Sequence, residues 1–375
     1  MRNWVASFLI LITVSCTEQK PDSAESTIWN SVPVKYAQGF SLEQSDNLYR
    51  VTINQPYKDA RSGMSYIFYP KGTTKPKVAA DAYLAIPVNS IVCTSTTHIP
   101  LLDYLNETRA LVGFPTTDYI SSRAMRKRVN SGKVSELGID DALNLEKLLE
   151  LQPELVMGYT LTGDLGQYDL IQQAGIPVVL NAEYLESHPL GRAEWLKLAG
   201  VIFNKTDAAD SIFNQIEAAY LATQNLVKEA HQKPSAISGV LYGDSWYLPG
   251  GDNYASKMLR DAGFEFFWAA DTTSAFLPLS FETVFDKGRK ADFWIGVASF
   301  KTLEEIAAAD QRYVNFTAYK KGNVYSYNKL IGEKGGSQFL ELGYLRPDLI
   351  LKDLVKIAHP DLLPEHKLFF HFKLP

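Results

Sequence analysis

Two glutamates, Glu146 and Glu282, occupy the same place in two similar stretches of the chain. Each lies two residues after a helix-capping side chain, Asn144 or Ser280, and each opens an amphipathic helix that leads into a short apolar strand. A carboxylate in the first helical turn stabilises the helix dipole by about 0.3–1 kcal/mol, which is reason enough for either glutamate alone. The dipole explains less well why a glutamate recurs at equivalent points of two units.

No catalytic set accompanies these glutamates. The sequence has no GxSxG nucleophile turn, no GxxxxGKS/T phosphate loop and no HExxH zinc motif. Its six histidines are scattered at His98, His188, His231, His359, His366 and His371. The last three share a short tail, where solvent-exposed side chains are a better explanation than a metal site. Missing motifs do not exclude an enzyme, but nothing in these residues argues for one, and we expect no enzyme activity and no resident metal or cofactor.

The elements that carry the two glutamates follow a repeated order. From about Ala85, short apolar strands alternate with amphipathic helices, as in a parallel α/β sheet. The order recurs after a helical stretch in which Thr206 caps a helix that reaches about Ala230. At 1.5 Å per residue, such a helix is roughly 37 Å long. We predict an α/β fold of two Rossmann-like lobes with parallel central sheets, joined by a long rigid helix, with a ligand cleft between them.

The sequence pattern also predicts the boundaries of the remaining segments. Residues 28–75 alternate as β-structure does, and we interpret them as an N-terminal strand extension. In the second lobe we expect a strand from Ala236 to Tyr242 and a loop from Gly243 to Asn253. The predicted divisions are 1–16 for a signal peptide, 17–84 for a tether and the extension, 85–190 for the first lobe, 191–232 for linking helices, 233–345 for the second lobe, and 346–375 for a C-terminal helix and tail.

The N-terminus has the form of an export signal. A positive Arg2 precedes a short apolar run, Val5–Val14, that falls short of the roughly 20 residues needed to span a bilayer. The run ends in Thr-Val-Ser-Cys, which resembles the lipobox of bacterial lipoproteins and marks Cys16 as the lipid-modified residue. The alternative is an ordinary secretory peptide cut near Ser15. With Cys16 acylated, Cys93 has no disulfide partner, and its apolar setting predicts a small buried side chain.

The overall composition is that of an exported globular protein. The chain has 375 residues, 46% of them hydrophobic and 21% charged, and a formal net charge of −5. Nucleic-acid binders are normally basic, so we expect no nucleic-acid partner. We expect a monomer in the periplasm, attached to a membrane through its lipid. Aromatic residues are plentiful, and we expect a minority of them to line a binding surface.

Four segments, in order, resemble those of class III substrate-binding proteins of ABC importers, the group that delivers iron–siderophore complexes, haem and vitamin B12. The resemblance covers roughly residues 85–358. The segments are Ile91–His98, Asn144–Val156, Leu248–Gly251 and Phe281–Glu282. It implies a lipoprotein that captures an iron complex, either a siderophore or haem, and delivers it to a permease dimer of the ferric-siderophore or vitamin B12 type.

The resemblance also implies roles for particular residues. In this family a glutamate on each lobe docks into arginine pockets of the permease, and the matching positions are Glu146 and Glu282. Ligand contacts are expected from loops after strand carboxyl ends. They are Thr96, Thr97, His98, Arg123, Arg126, Tyr159, Trp246, Tyr247 and Phe276. The basic run from Arg123 to Arg128 either serves an anionic chelate or forms a solvated helix face.

Three alternatives remain open on the sequence. A vitamin B12 or corrinoid binder is the first, although Tyr159 and Phe276 stand where the vitamin B12 binder of this family has tryptophans. A chelatase-like metalloenzyme is the second, and it would need histidine and glutamate to converge in the cleft, where only His98 is placed. A surface scavenger without a permease is the third. The fold itself does not select the ligand, because cleft loops vary freely on it.

Overall fold

The computed structural model describes residues 27–375. The signal peptide and Cys16 predicted above lie outside the described residues. Within the described part, no helix is both long and apolar enough to cross a membrane.

An antiparallel sheet opens the described chain. Its strands are β1 (Asn30–Val32), β2 (Phe40–Ser45), β3 (Leu48–Ile53), β4 (Met64–Pro70) and β5 (Ala82–Ile86). They lie in chain order, and only β4 and β5 are parallel. Alternate residues face the core because side chains of a strand alternate between its two faces, so Phe40 and Leu42 pair with buried Ile53 and Val51. The predicted strand extension is present, and the predicted boundary at residue 85 falls inside β5.

The N-terminal lobe holds a parallel sheet. In chain order its elements are β6 (Ile91–Cys93), α1 (Ile99–Tyr104), β7 (Leu111–Phe114), α2 (Arg123–Asn130), β8 (Ser135–Glu136), β9 (Gly138–Ile139), β10 (Ala142–Leu143), α3 (Leu145–Leu151), β11 (Leu155–Gly158), α4 (Gly166–Gln173) and β12 (Val178–Leu180). The sheet order is β12-β11-β6-β7-β8, with every pair parallel. Strands β6, β11 and β12 are buried along their whole length, as strands covered on both faces are. The predicted alternation of strands and helices is confirmed.

Three helices link the lobes: α5 (Pro189–Glu194), α6 (Leu196–Ile202) and α7 (Thr206–Leu226). Helix α7 is 21 residues long, or about 31 Å at 1.5 Å per residue. The sequence prediction ran four residues too far, because Val227–Glu229 form a 3-10 turn. Thr206 is the first helical residue and not the cap, since the preceding Lys205 holds that position and makes no capping hydrogen bond. The long linking helix itself is confirmed.

The C-terminal lobe repeats the parallel arrangement and adds a second sheet. Its elements are β13 (Ser235–Ser238), β14 (Val240–Tyr242), β15 (Ser245–Pro249), α8 (Tyr254–Asp261), β16 (Glu265–Phe266), β17 (Phe276–Leu279), α9 (Phe281–Gly288), β18 (Phe293–Ile295), α10 (Leu303–Ala309), α11 (Thr317–Lys320) and β19 (Val324–Ser326). The chain then forms α12 (Gln338–Leu342), α13 (Pro347–Ala358) and β20 (Phe372–Lys373). The main sheet has the order β16-β13-β18-β19-β20, parallel except for β20.

Two predictions for this lobe are wrong. The strand expected over residues 236–242 is interrupted at Gly239, whose φ of +80° turns the chain out of the main sheet. The loop expected over residues 243–253 contains β15, which pairs with β14 and β17 in a three-stranded antiparallel sheet. The pairing with β17 joins residues about 30 positions apart, so local sequence could not show it.

Two buried carboxylates, one in α5 and one just before it, hold the N-terminal sheet in place. The carboxylate of Glu194, which is fully buried, accepts the backbone N–H groups of Lys35, Tyr36 and Ala37 at 2.7–3.0 Å. That of Glu186 accepts those of the next two residues, at 2.8–3.0 Å. Charge-assisted hydrogen bonds of this kind are about twice as strong as neutral ones. The extension is therefore bonded to the lobes and does not form an independent domain.

Replacing Glu194 by alanine should destabilise the protein by about 3 kcal/mol, because it removes the acceptor of several donors and one partner of a buried ion pair with Lys197. The free energy of unfolding from urea titrations measures this loss. Glu150→Ala is the matched control, since Glu150 is exposed and such substitutions usually stay within about 0.5 kcal/mol. Equal stability of the two variants would contradict the role given to Glu194.

Candidate functional site

Helix α12 lies between the two lobes. On one side it packs against the turn Thr96–His98 and helix α1 of the N-terminal lobe. On the other side it lines a large cavity together with residues at the carboxyl ends of β13 and β18. Ligands of α/β proteins bind beyond the carboxyl ends of parallel strands, so both faces of α12 belong to the region where a ligand site is expected.

The cavity has a volume of about 850 Å³ and is mostly apolar. Seven aromatic side chains surround it, and we call it the aromatic cavity. They are Tyr242, Tyr247, Tyr254, Phe276, Tyr327, Phe339 and Tyr344. Small-molecule sites measure roughly 300–1,000 Å³ and combine apolar walls with a few placed polar groups. The aromatic cavity therefore has the size and character of a site for a large ligand.

Two buried tryptophans support the backbone of Ser238 and Gly239, which forms the floor of the aromatic cavity. The indole N–H of Trp246 donates to the carbonyl oxygen of Ser238, and that of Trp294 donates to Gly239, both at 2.9 Å. Their rings stack with centroids 5.4 Å apart. A side chain at position 239 would place its Cβ 1.8 Å from the carbonyl oxygen of Tyr247, so only glycine fits this turn. The two indoles thus fix the backbone at the bottom of the cavity.

Only two of the nine predicted ligand residues line the aromatic cavity, and these are Tyr247 and Phe276. They stand at its open side, 42% and 58% exposed. Trp246 does not reach a ligand surface, because neighbouring residues of a strand point to opposite faces and Trp246 points into the core. The expectation that this tryptophan contacts the ligand is wrong, and its side chain supports the floor instead.

Two buried polar groups in the wall of the aromatic cavity were missed by the sequence analysis. Arg192 comes from α5 and stacks on the rings of Tyr254 and Tyr344, with distances of 4.1 and 4.3 Å from its guanidinium carbon to the ring centroids. His371 comes from the C-terminal tail and is only 3% exposed, so the expectation of a solvent-exposed tail histidine is wrong. Its ring Nδ1 lies 3.1 Å from the carboxylate of Asp353. No local pattern marks either residue, because each reaches the cavity from a distant element.

The predicted residues of the N-terminal lobe form a separate polar group at the carboxyl end of their sheet. His98 is fully buried, and neither of its ring nitrogens has a hydrogen-bond partner among the described residues. Burial lowers the pKa of His98 to about 3, so its ring is neutral. The hydroxyl of Thr97 donates to Glu183, and burial raises the pKa of that carboxyl to about 7. Together with the partly buried Thr96, these side chains lie outside the aromatic cavity.

Tyr159 lies beside this polar group. Its ring meets that of His98 edge to face, with centroids 6.4 Å apart. Its hydroxyl donates to Asp140, and burial raises its pKa above the ordinary value. Tyr159 does not line the aromatic cavity, and its predicted contact with a ligand stays a prediction.

The predicted basic cluster does not converge on the aromatic cavity. Arg126 is 6% exposed and donates to the carbonyl oxygen of Thr117 at 2.6 Å and to Asn130 at 3.1 Å. Arg128 donates to the carbonyl oxygens of two backbone residues at 3.0 Å. Arg123 is exposed and lines a smaller side pocket that also contains Glu341. Arg126 and Arg128 are thus used to fix loops, whereas Arg123 and Lys127 are exposed, as on a solvated helix face.

Hydrogen bonds join the lobes directly. Glu341 of α12 is 2% exposed, and its carboxylate accepts the backbone N–H groups of Ser121 and Ser122 at 2.5 and 2.8 Å. At the start of α13, Arg346 donates to the hydroxyl of Tyr104 at 2.8 Å. The two lobes are therefore connected by polar contacts across the cleft as well as by the linking helices.

The two glutamates of the repeated pattern are exposed at the beginnings of α3 and α9. Asn144 and Ser280 cap these helices as predicted, accepting backbone N–H groups at 3.0 and 3.1 Å. The surroundings differ, because Glu282 lies 3.4 Å from Arg312. That arginine also bonds to the carboxylate of Asp310 at 2.7 Å.

The described part of the chain contains no cluster of side chains that could hold a metal ion. No three side chains of His, Cys, Asp or Glu come together there as a metal-ion site. Cys93 is buried with a free thiol, and burial raises its pKa.

The chain is similar to known proteins in sequence. A family model described as periplasmic binding protein matches residues 91–330. An uncharacterised lipoprotein of Methanocaldococcus jannaschii is 25% identical over 299 residues, which cover 77% of this chain and 69% of that protein. A second uncharacterised lipoprotein of the same organism is 22% identical over 365 residues, covering 91% and 86% of the two chains.

Solved structures share the fold. A possible iron-binding, periplasmic solute-binding protein of Staphylococcus epidermidis has a TM-score of 0.56 and 17% identity, over 73% of this chain and 100% of that one. A periplasmic haem-binding protein of Roseiflexus has a TM-score of 0.54 and 20% identity, over 73% and 99%. The two-lobed α/β architecture predicted from the sequence is thus confirmed.

Glu341 should give the protein a pH-dependent stability. The pKa of this carboxyl is raised to about 7. Burial is the main cause and the negative charge of Asp103 adds to it, while the hydrogen bonds from Ser121 and Ser122 act in the opposite direction. A carboxyl whose pKa is raised on folding contributes stability that is complete below the unfolded pKa, near 4.5, and that is lost as pH rises through about 7. The free energy of unfolding of the wild type minus that of Glu341→Gln should therefore fall over this range.

Urea unfolding across the range measures the difference. Other groups that titrate in this pH range, such as Glu183, contribute equally to both proteins, so their contributions cancel in the difference of the unfolding free energies. Glu150→Gln, at an exposed position, should give a difference that does not vary with pH. A difference for Glu341→Gln that is flat or rises with pH would refute the titration assigned to this carboxyl.

Proposed function

The chain belongs to the periplasmic binding protein family, and we propose that it captures an iron complex, a siderophore or haem, and delivers it to an ABC permease. The aromatic cavity is the single observation that carries this proposal. Its volume of about 850 Å³ exceeds what an amino acid or a bare metal ion needs, and its walls suit a large complex with an apolar surface. The iron-binding and haem-binding descriptions of similar folds support the choice of ligand class.

The cavity also suggests how the ligand is held. Tyr247 and Phe276 stand at the open side, where their rings would cover one face of a guest. Arg192 provides a buried cation in the wall, to which a carboxylate of the ligand would bind. Binding in this manner is recognition without bond making or breaking.

Delivery would use the two exposed glutamates. Glu146 and Glu282 lie on helix beginnings of different lobes, so a permease dimer could meet one with each subunit. Opposite charges at an interface set orientation and association rate more than affinity, which suits repeated docking and release. The carboxylate of Glu282 would exchange its exposed contact with Arg312 for an arginine of the permease at little energetic cost, because exposed pairs contribute only about 0–1 kcal/mol.

A lipid anchor at Cys16 would keep this protein close to the permease. The lipobox-like sequence supports this placement, and so do the lipoprotein names of the two Methanocaldococcus proteins. We propose a periplasmic location on the outer side of the membrane that holds the permease.

Ligand capture can be tested by thermal unfolding of the purified mature protein with hemin, ferrioxamine B and cobalamin. A true ligand stabilises the folded state by about 2.7 kcal/mol at a hundredfold excess over its dissociation constant, and so raises the melting temperature. The double variant Tyr247→Ala/Phe276→Ala should lose most of this shift. Tyr119→Ala is the control, because Tyr119 is 59% exposed and lies outside the aromatic cavity. No shift with any of the three compounds would contradict the proposal.

Permease docking can be tested by charge reversal. Glu146→Arg/Glu282→Arg should abolish uptake of the ligand in cells while its dissociation constant stays within about twofold, since neither residue lines the cavity. Glu150→Arg/Glu304→Arg, at exposed positions of α3 and α10, is the matched control and should transport normally. Lost ligand affinity in the first variant, or unchanged uptake, would refute the docking role.

A further inference from the structure

The C-terminal tail places a histidine in the wall of the aromatic cavity. His371 is 3% exposed and immediately precedes β20, the antiparallel edge strand of the main sheet. Its ring lies edge to face with that of Phe339, which lines the same cavity, with centroids 5.8 Å apart. The tail lies beyond residues 91–330, the part of the chain that the family model matches. This residue therefore lies outside the part of the chain by which the family is recognised.

Asp353 of α13 fixes the position and the tautomer of His371. The carboxylate is fully buried and accepts the backbone N–H groups of Phe369, Phe370 and His371 at 2.7–2.9 Å. It also lies 3.1 Å from Nδ1 of His371 and 2.7 Å from Nε2 of His366. A carboxylate is an acceptor, so Nδ1 of His371 carries the proton and donates it to this hydrogen bond.

The other ring nitrogen of His371 is left free. Nε2 has no hydrogen-bond partner among residues 27–375, and it is not among the fully enclosed polar atoms of that region. With the proton on Nδ1, Nε2 keeps a free lone pair on a ring that lines the cavity. A histidine that donates one N–H to a carboxylate and offers the other nitrogen is the usual arrangement of a metal-ligating histidine.

A single histidine does not hold a bare metal ion, and no further metal-ligating side chains gather around it in the described part of the chain. It can instead complete the coordination of a metal that its own chelator already holds. That requires a complex with an open axial position, such as a metal tetrapyrrole, in which the ring supplies four nitrogens and the protein supplies the axial ligand. A hexadentate ferric siderophore has no such position, because its oxygens occupy the whole coordination shell.

We propose that His371 is an axial ligand, through Nε2, to the metal of a planar tetrapyrrole bound in the aromatic cavity. This rests on the proposed function and narrows its ligand to metal tetrapyrroles. The other features of the cavity fit that guest. Aromatic walls stack on a flat macrocycle, and Arg192 pairs with a peripheral carboxylate of the ligand. Asp353 is a positioning residue, which acts through His371.

Titration of the full mature protein with hemin, metal-free protoporphyrin IX and ferrioxamine B tests the assignment. The wild type should bind hemin with the absorption spectrum of a histidine-ligated haem. His371→Ala should weaken hemin binding about tenfold or more and lose that spectrum, while added imidazole restores it. Protoporphyrin IX should bind both proteins equally, because it has no metal to coordinate.

His366→Ala is the matched control. His366 bonds to the same carboxylate but does not line the cavity, so this variant should keep the hemin spectrum of the wild type. Circular dichroism checks folding, and His371→Gln replaces His371→Ala if the alanine variant does not fold. A purely structural role for His371 would weaken the binding of hemin and protoporphyrin IX alike and would not respond to imidazole, and this result would overturn the assignment.

The remaining outcomes separate the inference from the proposed function. If His371→Ala binds hemin with the affinity and spectrum of the wild type, the assignment falls while capture of an iron complex stands. If the wild type binds ferrioxamine B and neither porphyrin, the assignment also falls and a siderophore becomes the ligand. If it binds none of the three compounds, both proposals are refuted.

Discussion

Buried carboxylates that accept backbone N–H groups from distant segments determine how this chain is assembled. A buried charge is costly unless it is fully hydrogen-bonded, and several converging amide donors supply much of that hydrogen bonding. The N-terminal sheet, the contact across the cleft and the C-terminal tail are each held in this way. The carboxylates are Glu186, Glu194, Glu341 and Asp353. Each carboxylate lies on or beside a helix, and the segment whose N–H groups it accepts is thereby held against that helix.

The two lobes contribute different surfaces to the cleft between them. The C-terminal lobe provides most of the aromatic cavity, with a floor braced by two indoles and a wall that includes α12 and the tail. The N-terminal lobe contributes buried polar groups around His98 on the other side of α12. Because α12 is bonded to the N-terminal lobe through Glu341, a ligand in the cavity would contact an element that both lobes hold.

The sequence was a good guide wherever structure depends on local pattern. Apolar strands alternating with amphipathic helices identified both parallel sheets, and Asn144 and Ser280 cap their helices as expected. It failed where structure depends on pairing between distant segments. The strand at residues 245–249 exists because residues 276–279 pair with it, and this same register turns Trp246 inward and Tyr247 outward. Both aromatics were predicted to bind the ligand because they follow a predicted strand, but only the face of the observed strand decides between them.

In the candidate site too, local sequence pattern predicted some residues and missed those that distant segments bring in. Tyr247 and Phe276 could be chosen because they follow strands of the expected fold, whereas Arg192 and His371 arrive from elements with no local signal. His371 in particular depends on Asp353, which lies 18 residues earlier and accepts the amides of the tail. The basic run at residues 123–128 attracted a functional interpretation because its charges are close in sequence. Two of its guanidinium groups are instead used by carbonyl oxygens of nearby loops.

The edge strands of the sheets are short, which bears on self-association. Every edge strand in residues 27–375 is between two and five residues long, including β20, which covers β19. Unpaired edge backbone is a template on which a second polypeptide can add a strand, and shortness is one of the means by which natural proteins prevent it. The tail that places His371 beside the cavity therefore also covers the edge of β19, and it leaves only the two-residue strand β20 at this margin of the main sheet.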